Sequence, residues 1–441
     1  MKKRISGWGC YPVVEAEVQK ARYLEDLVRL AGEGRPLLAQ GNCRSYGDAC
    51  LFSRVVSTLP LNHLLDFDAE GGLLRAQAGI TLEEILRFIV PRGFFLPVTP
   101  GTKFTTLGGC IAADVHGKNH HQDGAIGRFV QELEMVLADG AWVRCSRQEH
   151  GELFRATLGG MGLTGFIYAA VLRLRRISSA YIRRRSVRTG NFAEACQILS
   201  QTRDEYPYSV AWIDCLARGP RLGRSLVMLG DHAPADACRA PLKTHSRRQR
   251  GVPFHLPEAA LSPWSVRAFN ALYYRRQRRG SADSVVHYDP FFYPLDSMGH
   301  WNRIYGRGGF LQYQFVIPFR DGLELMQEIL ERIAAQGSGS FLAVLKTFGP
   351  FEEGLLSFPM PGHTLALDFP LRGGRIIPFL LGLNRLIAGA GGRIYLAKDA
   401  ILGREDFAAM YPGLEEFRRI KRTWDPGGLC RSHLSDRLGL T

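Results

Sequence analysis

Long hydrophobic runs are missing from this 441-residue chain. Its longest apolar stretches, such as the one near Ile376–Leu383, fall well short of the ~20 residues a membrane-spanning helix needs. The basic start, Met1-Lys-Lys-Arg-Ile-Ser-Gly7, leads into no apolar segment of the kind a Sec signal carries, so a cytoplasmic address is expected. C-x-x-C pairs are missing too. The 9 cysteines stand at positions 10, 43, 50, 110, 145, 196, 215, 238 and 430, a scatter that predicts neither a zinc knuckle nor a dithiol redox site and suits reduced thiols. Walker A motifs and internal repeats are absent. Acidic residues are scarce beside basic ones, 42 against 56, a net charge of +14.

What is present belongs to a globular enzyme-sized protein. The 46% hydrophobic content supplies a large core, and the length suits two or three domains or one discontinuous pair. The excess charge is clustered at Arg175-Arg176, Arg183-Arg184-Arg185, Arg247-Arg248-Gln-Arg250 and Arg275-Arg276-Gln-Arg278-Arg279. Such clusters fit a solvated face, an anionic membrane surface or a phosphate-bearing substrate. No nucleic-acid recognition module accompanies them, so nucleic acid is not an expected partner.

The first third reads as mixed α/β. The pattern predicts an amphipathic helix over Glu15–Glu33, then a short strand at Pro36–Gln40. Thr81-Leu-Glu-Glu84 is a capping box opening a helix that stops near Pro91-Arg-Gly93. Residues 134–137 and 141–145 flank Asp139-Gly140 as a β-hairpin, and Gly165–Arg173 is a strand. Residues 234–280 show weak periodicity and read as a mobile surface segment or lid. From Gly309 the order is strand (310–317), helix (322–335), strands (341–346 and 364–369), helix (377–388) and strand (393–397), which makes an antiparallel sheet with helices on one face. The fold class is therefore α+β.

Gly160-Met-Gly162-Leu-Thr-Gly165 matches G-x-G-x-x-G, but a helix-like segment precedes it and a strand follows. That is the reverse of the dinucleotide-binding arrangement. A better phosphate candidate is Gly41-Asn-Cys-Arg-Ser-Tyr-Gly-Asp48, which follows a strand and can curl backbone N–H groups around an anion. A second glycine-rich stretch, Pro100–Gly109, could clamp a diphosphate from the other side. It leads into Ala113-Asp-Val-His-Gly-Lys-Asn-His-His121. His116 and His120 stand at i, i+4, a metal-ligand spacing only on a helix, and Gly117 and Asn119 argue for a turn. Structural histidines or a redox or substrate pocket are the other readings, and no metal is expected.

Taken in series, these pieces carry a resemblance. G-x-x-R-S-Y-G-D, P-G-T-x-x-x-T-x-G-G-x-I-A-x-D-x-H-G-K-N-H-H and G-G-x-G-L-T-G are followed by F-L-Q-Y-Q-F-V-I-P, L-S-F-P-x-P-G, G-G-R-I-Y-x-A-K-D and a final W-D-P. The series, from Gly7-Trp8-Gly9 to Leu438, resembles the flavin subunits of decaprenylphosphoryl-β-D-ribose 2′-epimerases. These belong to the two-domain vanillyl-alcohol-oxidase type of flavoenzyme. The resemblance implies a PCMH-type FAD-binding domain (1–178), a substrate cap with an antiparallel sheet (179–400, containing the 234–280 segment) and C-terminal helices returning to the FAD domain (401–441).

By position, the resemblance implies that FAD is lined by Leu38, Ala39, Gln40, Gly41, Asn42, Cys43, Arg44, Ser45, Tyr46, Gly47 and Asp48. Gly101, Thr106, Leu107, Gly108 and Gly109 would follow, then Ala113, Asp114, Val115 and His116, with Ile167 and Tyr395. Relatives with covalent flavin often have the attaching histidine where Arg44 stands, so FAD is expected to be non-covalent. Hydride would pass from a ribose secondary alcohol to the flavin while a base takes the hydroxyl proton, and which side chain is that base is left open. Lys398, His116 and Tyr46 are the catalytic candidates, Lys398 as a cation near the reacting hydroxyls. Lys118 and Lys346 are candidates for the substrate phosphate. Gln312, Gln314, Thr364 and Ala366 would complete the pocket. Mycobacterial relatives have cysteine at the position of Ala366 and asparagine near that of Thr364. The pocket wall is therefore expected to differ, and inhibitors that trap that cysteine to lack their anchor.

The implied activity is oxidation of the 2′-hydroxyl of a polyprenyl-phosphoryl-β-D-ribose to the 2′-keto form, which is handed to a short-chain-dehydrogenase-type keto-reductase. The basic clusters would then face the inner membrane as those of a peripheral protein. The competing enzyme reading is an alditol or sugar-1,4-lactone oxidase using oxygen. A non-catalytic basic adaptor, which would be colourless, is the reading from another class.

Overall fold

The computed structural model describes residues 2–244, 250–277, 280–339 and 341–440. Arg247, Arg248, Arg278 and Arg279 of the predicted basic clusters lie outside these residues.

The chain opens with β1 (Lys2–Ser6) and β2 (Val13–Lys20), an antiparallel pair, followed by α1 (Leu24–Ala31), β3 (Leu38–Gln40) and β4 (Arg54–Ser57). Strands β2 and β3 flank β4, both parallel to it. The helix expected over Glu15–Glu33 is thus a strand and a shorter helix. Residues 13–17 pair with β1, and residues 17–20 with Arg54–Ser57 far along the chain, a partner that local periodicity cannot reveal. The break comes at Arg22 and Tyr23, whose N–H groups donate to Asp26 Oδ2 and start the helix there.

A second sheet is wholly antiparallel. It comprises β5 (Leu64–Asp68), β6 (Leu73–Gln77), β7 (Val130–Val136), β8 (Trp142–Ser146) and β9 (Phe166–Arg173), ordered β5-β6-β9-β7-β8. The D-G hairpin joins β7 to β8 as the sequence suggests. Helix α2 (Leu82–Ile89) begins at the expected capping box, with Thr81 Oγ1 accepting from Glu84 N and Glu84 answering at Thr81 N. Its Leu82, Ile85, Leu86 and Ile89 are buried against this sheet, beside α3 (Leu107–Ala112) and α4 (Gly151–Thr157).

The third sheet has eight strands. They are β10 (Tyr181–Thr189), β11 (Tyr208–Ile213), β12 (Ser225–His232), β13 (Ser281–His287), β14 (Phe310–Pro318), β15 (Ala343–Phe348), β16 (Gly362–Pro370) and β17 (Arg393–Ile394). Their order is β13-β10-β12-β11-β15-β16-β14-β17, antiparallel throughout. Alternation assigns its faces. Leu311, Tyr313, Phe315 and Ile317 of β14, with Leu365, Leu367 and Phe369 of β16, pack against α5 (Phe192–Gln201), α7 (Gly322–Gln336) and α8 (Ile376–Gly389). The residues between them, Gln312, Gln314, Thr364 and Ala366, face a cavity instead. The last predicted strand is shorter than 393–397, because the chain turns over Leu396–Lys398 and so brings Lys398 to that cavity.

Residues 234–280 differ from the expectation of a weakly structured lid. They contain α6 (Pro263–Arg276), a 14-residue helix. It docks through Val266, Asn270 and Tyr274, spaced i, i+4, i+8, and two of those contacts are polar: Asn270 Nδ2 donates to Asp214 Oδ1 (2.7 Å) and Tyr274 Oη to the Thr189 carbonyl (2.9 Å). A docking face held by hydrogen bonds leaves little hydrophobic periodicity to read.

Three helices close the chain, α9 (Arg404–Met410) on α8 and β17, α10 (Leu414–Trp424) on α4, and α11 (His433–Leu438) beside α9, and the segment between α10 and α11 reaches the first sheet. Leu37 N donates to the Leu429 carbonyl, and the buried Lys421 ammonium bonds Asp425 and the carbonyls of Leu163 and Cys430. Asp425 of the W-D-P motif also accepts from the N–H groups of Leu429 and Cys430, which makes it the knot of the tail.

Candidate active site

A cavity of about 1000 Å³ runs between the two glycine loops and the open face of the third sheet. That is the upper end of the roughly 300–1,000 Å³ usual for small-molecule sites. The first loop leaves the end of β3 with Cys43 at a left-handed φ of 48°. Asn42 Nδ2 reaches across to the Phe104 carbonyl (2.8 Å), tying this loop to the second. Gly41 sits against Thr106, where a Cβ would fall 2.3 Å from the Thr106 hydroxyl. Thr106 is the cap of α3 and accepts from Gly109 N (3.2 Å). Arg44 lies over the Trp8 ring at 4.1 Å and faces Phe104 at 5.4 Å.

From the predicted cofactor set, Ala39, Gly41, Asn42, Cys43, Arg44, Ser45, Tyr46, Gly101, Thr106, Gly108, Gly109, Ala113, Val115, Ile167 and Tyr395 all line this one cavity. Others stand behind the wall, and each has a reason. Leu38 and Gln40 point away as the alternate residues of β3, Gln40 spending its amide on the Cys50 carbonyl. Gly47 packs on the Asp399 carbonyl, where a Cβ would collide at 1.6 Å. Asp48 is occupied by a two-pronged ion pair with Arg437. Leu107 is a core residue of α3. Asp114 accepts from Gly127 N and Ser357 Oγ.

His116 is the largest correction. Its ring is caged by Phe348, Phe358 and Tyr395, at 4.7, 5.9 and 5.6 Å between centroids, and it does not reach the cavity. Burial, then the charges of Lys346 and Lys398, push its pKa well below the usual histidine value, so the ring is neutral. Its Nε2 meets Gln314 Nε2 at 3.0 Å and accepts that hydrogen bond, which leaves the ring proton on Nδ1. His116 therefore acts through Gln314. His120 and His121 hold the cap sheet, one accepting from Gly349 N (3.2 Å) and the other contacting the Tyr206 carbonyl (3.0 Å). Among the described residues no group of three or more His, Cys, Asp or Glu is placed to hold a metal.

Lys118, Lys346 and Lys398 converge on the cavity from different elements. None forms an ion pair among the described residues. Lys118 Nζ donates to the Phe292 carbonyl (3.2 Å), and Ser209 N of β11 donates to the Lys118 carbonyl, pinning that turn to the cap. Burial lowers both Lys118 and Lys398 to about 8, with Asp368 partly restoring Lys398. Lys346 falls well below the ordinary lysine value through burial and then the neighbouring Lys118 and Lys398 charges. Lys398 Nζ lies 5.6 Å from the Tyr46 ring centroid. Gln312 Nε2 donates to Asp368 Oδ1 (2.7 Å), and Tyr305 Oη holds the other oxygen (2.8 Å). Ala366 lies opposite Gln314 on one side and Val344 on the other.

The G-x-G-x-x-G stretch is a turn between α4 and β9, as its flanks predict, yet Met161, Gly162 and Gly165 line the cavity. Trp8 and Cys50 line it too. Trp8 stands in the Gly7-Trp8-Gly9 stretch that opens the series but is not among the expected lining residues, and no motif marks Cys50.

These residues fit an FAD. Gly101 and Gly162 present bare backbone to the cavity, and a Cβ on either would meet no atom within 4 Å. Arg44 Nε is buried without a partner, a donor left for a ligand. The Cys43 thiol is engaged by Cys50, and that contact, then burial, raises its pKa, so it offers no thiolate for covalent attachment.

Residues 12–146 match the FAD binding domain family. The chain is 36% identical to the decaprenylphosphoryl-beta-D-ribose oxidase of Mycolicibacterium smegmatis over 99% of its own length and 98% of that protein. It is 34% identical to an uncharacterised Streptomyces coelicolor protein from the mprA 5′ region, over 82% of this chain and all of the other. Similarity to the human Delta(24)-sterol reductase, 31% identity, covers only 26% of this chain and 22% of that one. A match along the whole length, over a cavity built to hold FAD, places this chain in the decaprenylphosphoryl-β-D-ribose oxidase family of FAD-dependent oxidoreductases.

Proposed function

We propose that this enzyme oxidises the 2′-hydroxyl of a polyprenyl-phosphoryl-β-D-ribose to the 2′-ketone, the first half of an epimerisation, and passes the ketone to a short-chain-dehydrogenase-type reductase. In this reading residues 1–178 and 401–441 hold the cofactor and 179–400 the substrate. The observation that carries it is the trio of buried lysines, Lys118, Lys346 and Lys398, sharing one cavity with the glycine loops and forming no ion pair among the described residues, with only Asp368 near enough to act on Lys398. Buried charges without counterions are costly, and a phosphodiester is the counterion this site would gain.

Bound FAD supplies the hydride acceptor. The protein supplies the rest. Lys118 and Lys346 hold the phosphate, and Lys398, beside Tyr46, holds the reacting hydroxyl. Gln314 and Gln312 orient the sugar ring: both hydrogens of the Gln314 amide are spent, on His116 and on Thr364 Oγ1 (3.1 Å), which leaves its buried Oε1 as a free acceptor. The apolar walls exclude water and strengthen each of these contacts.

Membrane attachment belongs to the same reading. The outer side of α6 carries Trp264 and Leu272, 79% and 71% exposed, next to Arg267 and Arg275, the mixture expected of a helix lying on an anionic surface. No helix among the described residues is long and apolar enough to cross a membrane. Anaerobic titration tests the function: lipid-linked ribose phosphate should bleach the yellow flavin absorbance while free alditols and sugar lactones leave it yellow. Bleaching by alditols alone would sink it.

A further inference from the structure

The cavity continues past the polar groups assigned to the sugar and phosphate, and its far half differs in chemistry from its near half. Opposed residues of an antiparallel ladder share a face, so the register orders the cavity wall. Gln314 faces Ala366, Ala366 faces Val344, Val344 faces Trp212, and Val210, two residues before Trp212, faces Met228. On the next strand Arg184 faces Gly230. With strands ~4.8 Å apart, the wall from β14 to β10 extends ~24 Å. Its β14 end carries amides, and Lys346 and Lys398 stand nearby. Its middle carries only Ala366, Val344, Val210, Trp212 and Met228, all lining the cavity.

This strip has a roof. Phe269 and Tyr273 of α6 stack on each other (5.9 Å, 12° between planes), Tyr273 lies edge-on to Trp212 (4.8 Å) and Phe269 to Phe341 (5.2 Å). The helix that carries them is tied down by Asn270 and Tyr274. At the open end, Arg184 and Arg276 lie near the Tyr273 hydroxyl.

We propose that this roofed apolar strip seats the first isoprene units of the substrate's lipid chain, with Arg184 and Arg276 framing the mouth through which the rest of the chain leaves. The proposal rests on the polyprenyl-phosphoryl-ribose reading and extends it. A sugar offers nothing to a strip without donors or acceptors, and a soluble alditol would leave it wetted. A branched hydrocarbon tail removes that surface from water. The strip starts at Ala366, beside the polar groups assigned to the sugar, so sugar, phosphate and chain can lie along one line.

Two measurements on the FAD-loaded enzyme test it. The first is calorimetric binding of prenyl phosphates lacking ribose, from geranyl to geranylgeranyl phosphate. Affinity should rise about 10-fold per added isoprene unit until the strip is filled and then level off, and F269S and W212A should flatten the rise. Equal affinity at every length, or variants that keep the wild-type length dependence, would overturn the proposal. The second is turnover of farnesyl- against methyl-phosphoryl ribose. The ratio of their kcat/KM values should fall roughly 10- to 100-fold in F269S, and an unchanged ratio overturns the proposal. If neither ribose ester bleaches the wild-type flavin, the substrate reading fails, and the calorimetry still decides whether the strip binds a prenyl chain. Flavin absorbance of each variant reports that it is folded.

Discussion

Gln314 reaches His116 across 3.0 Å, from the third sheet to the turn that follows the second glycine loop. The bond joins the two halves of the site and sets which end of the amide faces the cavity. With one hydrogen on His116 and the other on Thr364, the amide cannot flip without losing both partners. Replacing His116 by alanine should therefore lower kcat/KM about 10- to 100-fold while FAD stays bound. Q314A should cost a similar amount, and the double variant less than the sum, with a coupling of about 1 kcal/mol in a double-mutant cycle. Additive losses would show that His116 acts independently of Gln314.

The lysine trio makes the pH dependence a question of sign. A lysine whose pKa is lowered keeps its charge below that pKa and loses it as pH rises through it. Lys118 and Lys398 stand at about 8 in the free enzyme. The arm of kcat/KM that reports the free enzyme should fall as pH rises above about 8, with KM for the anionic substrate rising. K118M should raise KM at low pH and remove part of this fall. A profile flat to pH 10 would contradict the assignment of a phosphate to these residues.

Arg44, whose guanidinium cannot attach a flavin covalently, lies over Trp8. Neither it nor the engaged Cys43 thiol can form the bond. Acid precipitation should release the FAD into the supernatant and leave a colourless pellet. A pellet that stays yellow, or a fluorescent band on a denaturing gel, would show attachment.

The tail clasps the first glycine loop at a single cation. Arg437 bridges Asp48 and Asp399 at 2.8 Å each, and both carboxylates are buried. R437A leaves two buried carboxylates without a counter-charge, Asp399 keeping only the N–H groups of Ile401 and Leu402, which should cost about 3 kcal/mol, seen as a lower Tm in thermal melts. Because Asp48 ends the loop that carries Arg44 and Ser45, the FAD dissociation constant should rise as well. A lower Tm with unchanged FAD affinity would confine the clasp to stability.

Several features could be read from residues in a line. The capping box at Thr81, the D-G hairpin, the alternation in 310–317 and the two glycine loops depend on contacts within a few residues, and each stands where its local chemistry places it. The strand at Val13–Lys20 and the helix at Pro263–Arg276 could not be read this way. The second half of the first pairs with Arg54–Ser57, far along the chain, and the second docks through an amide and a phenol with Val266 as the one fully buried apolar side chain.

The site divides along the same line. By itself the sequence determined which loops would bend tightly enough to meet a cofactor, because glycine and left-handed backbone are local properties. The alternation in 310–317 also put Gln312 and Gln314 on one face of their strand, because alternation is local, while their place in a pocket, with Thr364 and Ala366, came from the resemblance. Only the tertiary structure decided that His116 lies behind Gln314 rather than in the cavity, that Asp48 is given to Arg437, and that Trp212 and Phe269 close over an apolar strip. Those outcomes depend on which distant segments pack together, and burial, which sets both charge state and exposure, exists only once they have packed.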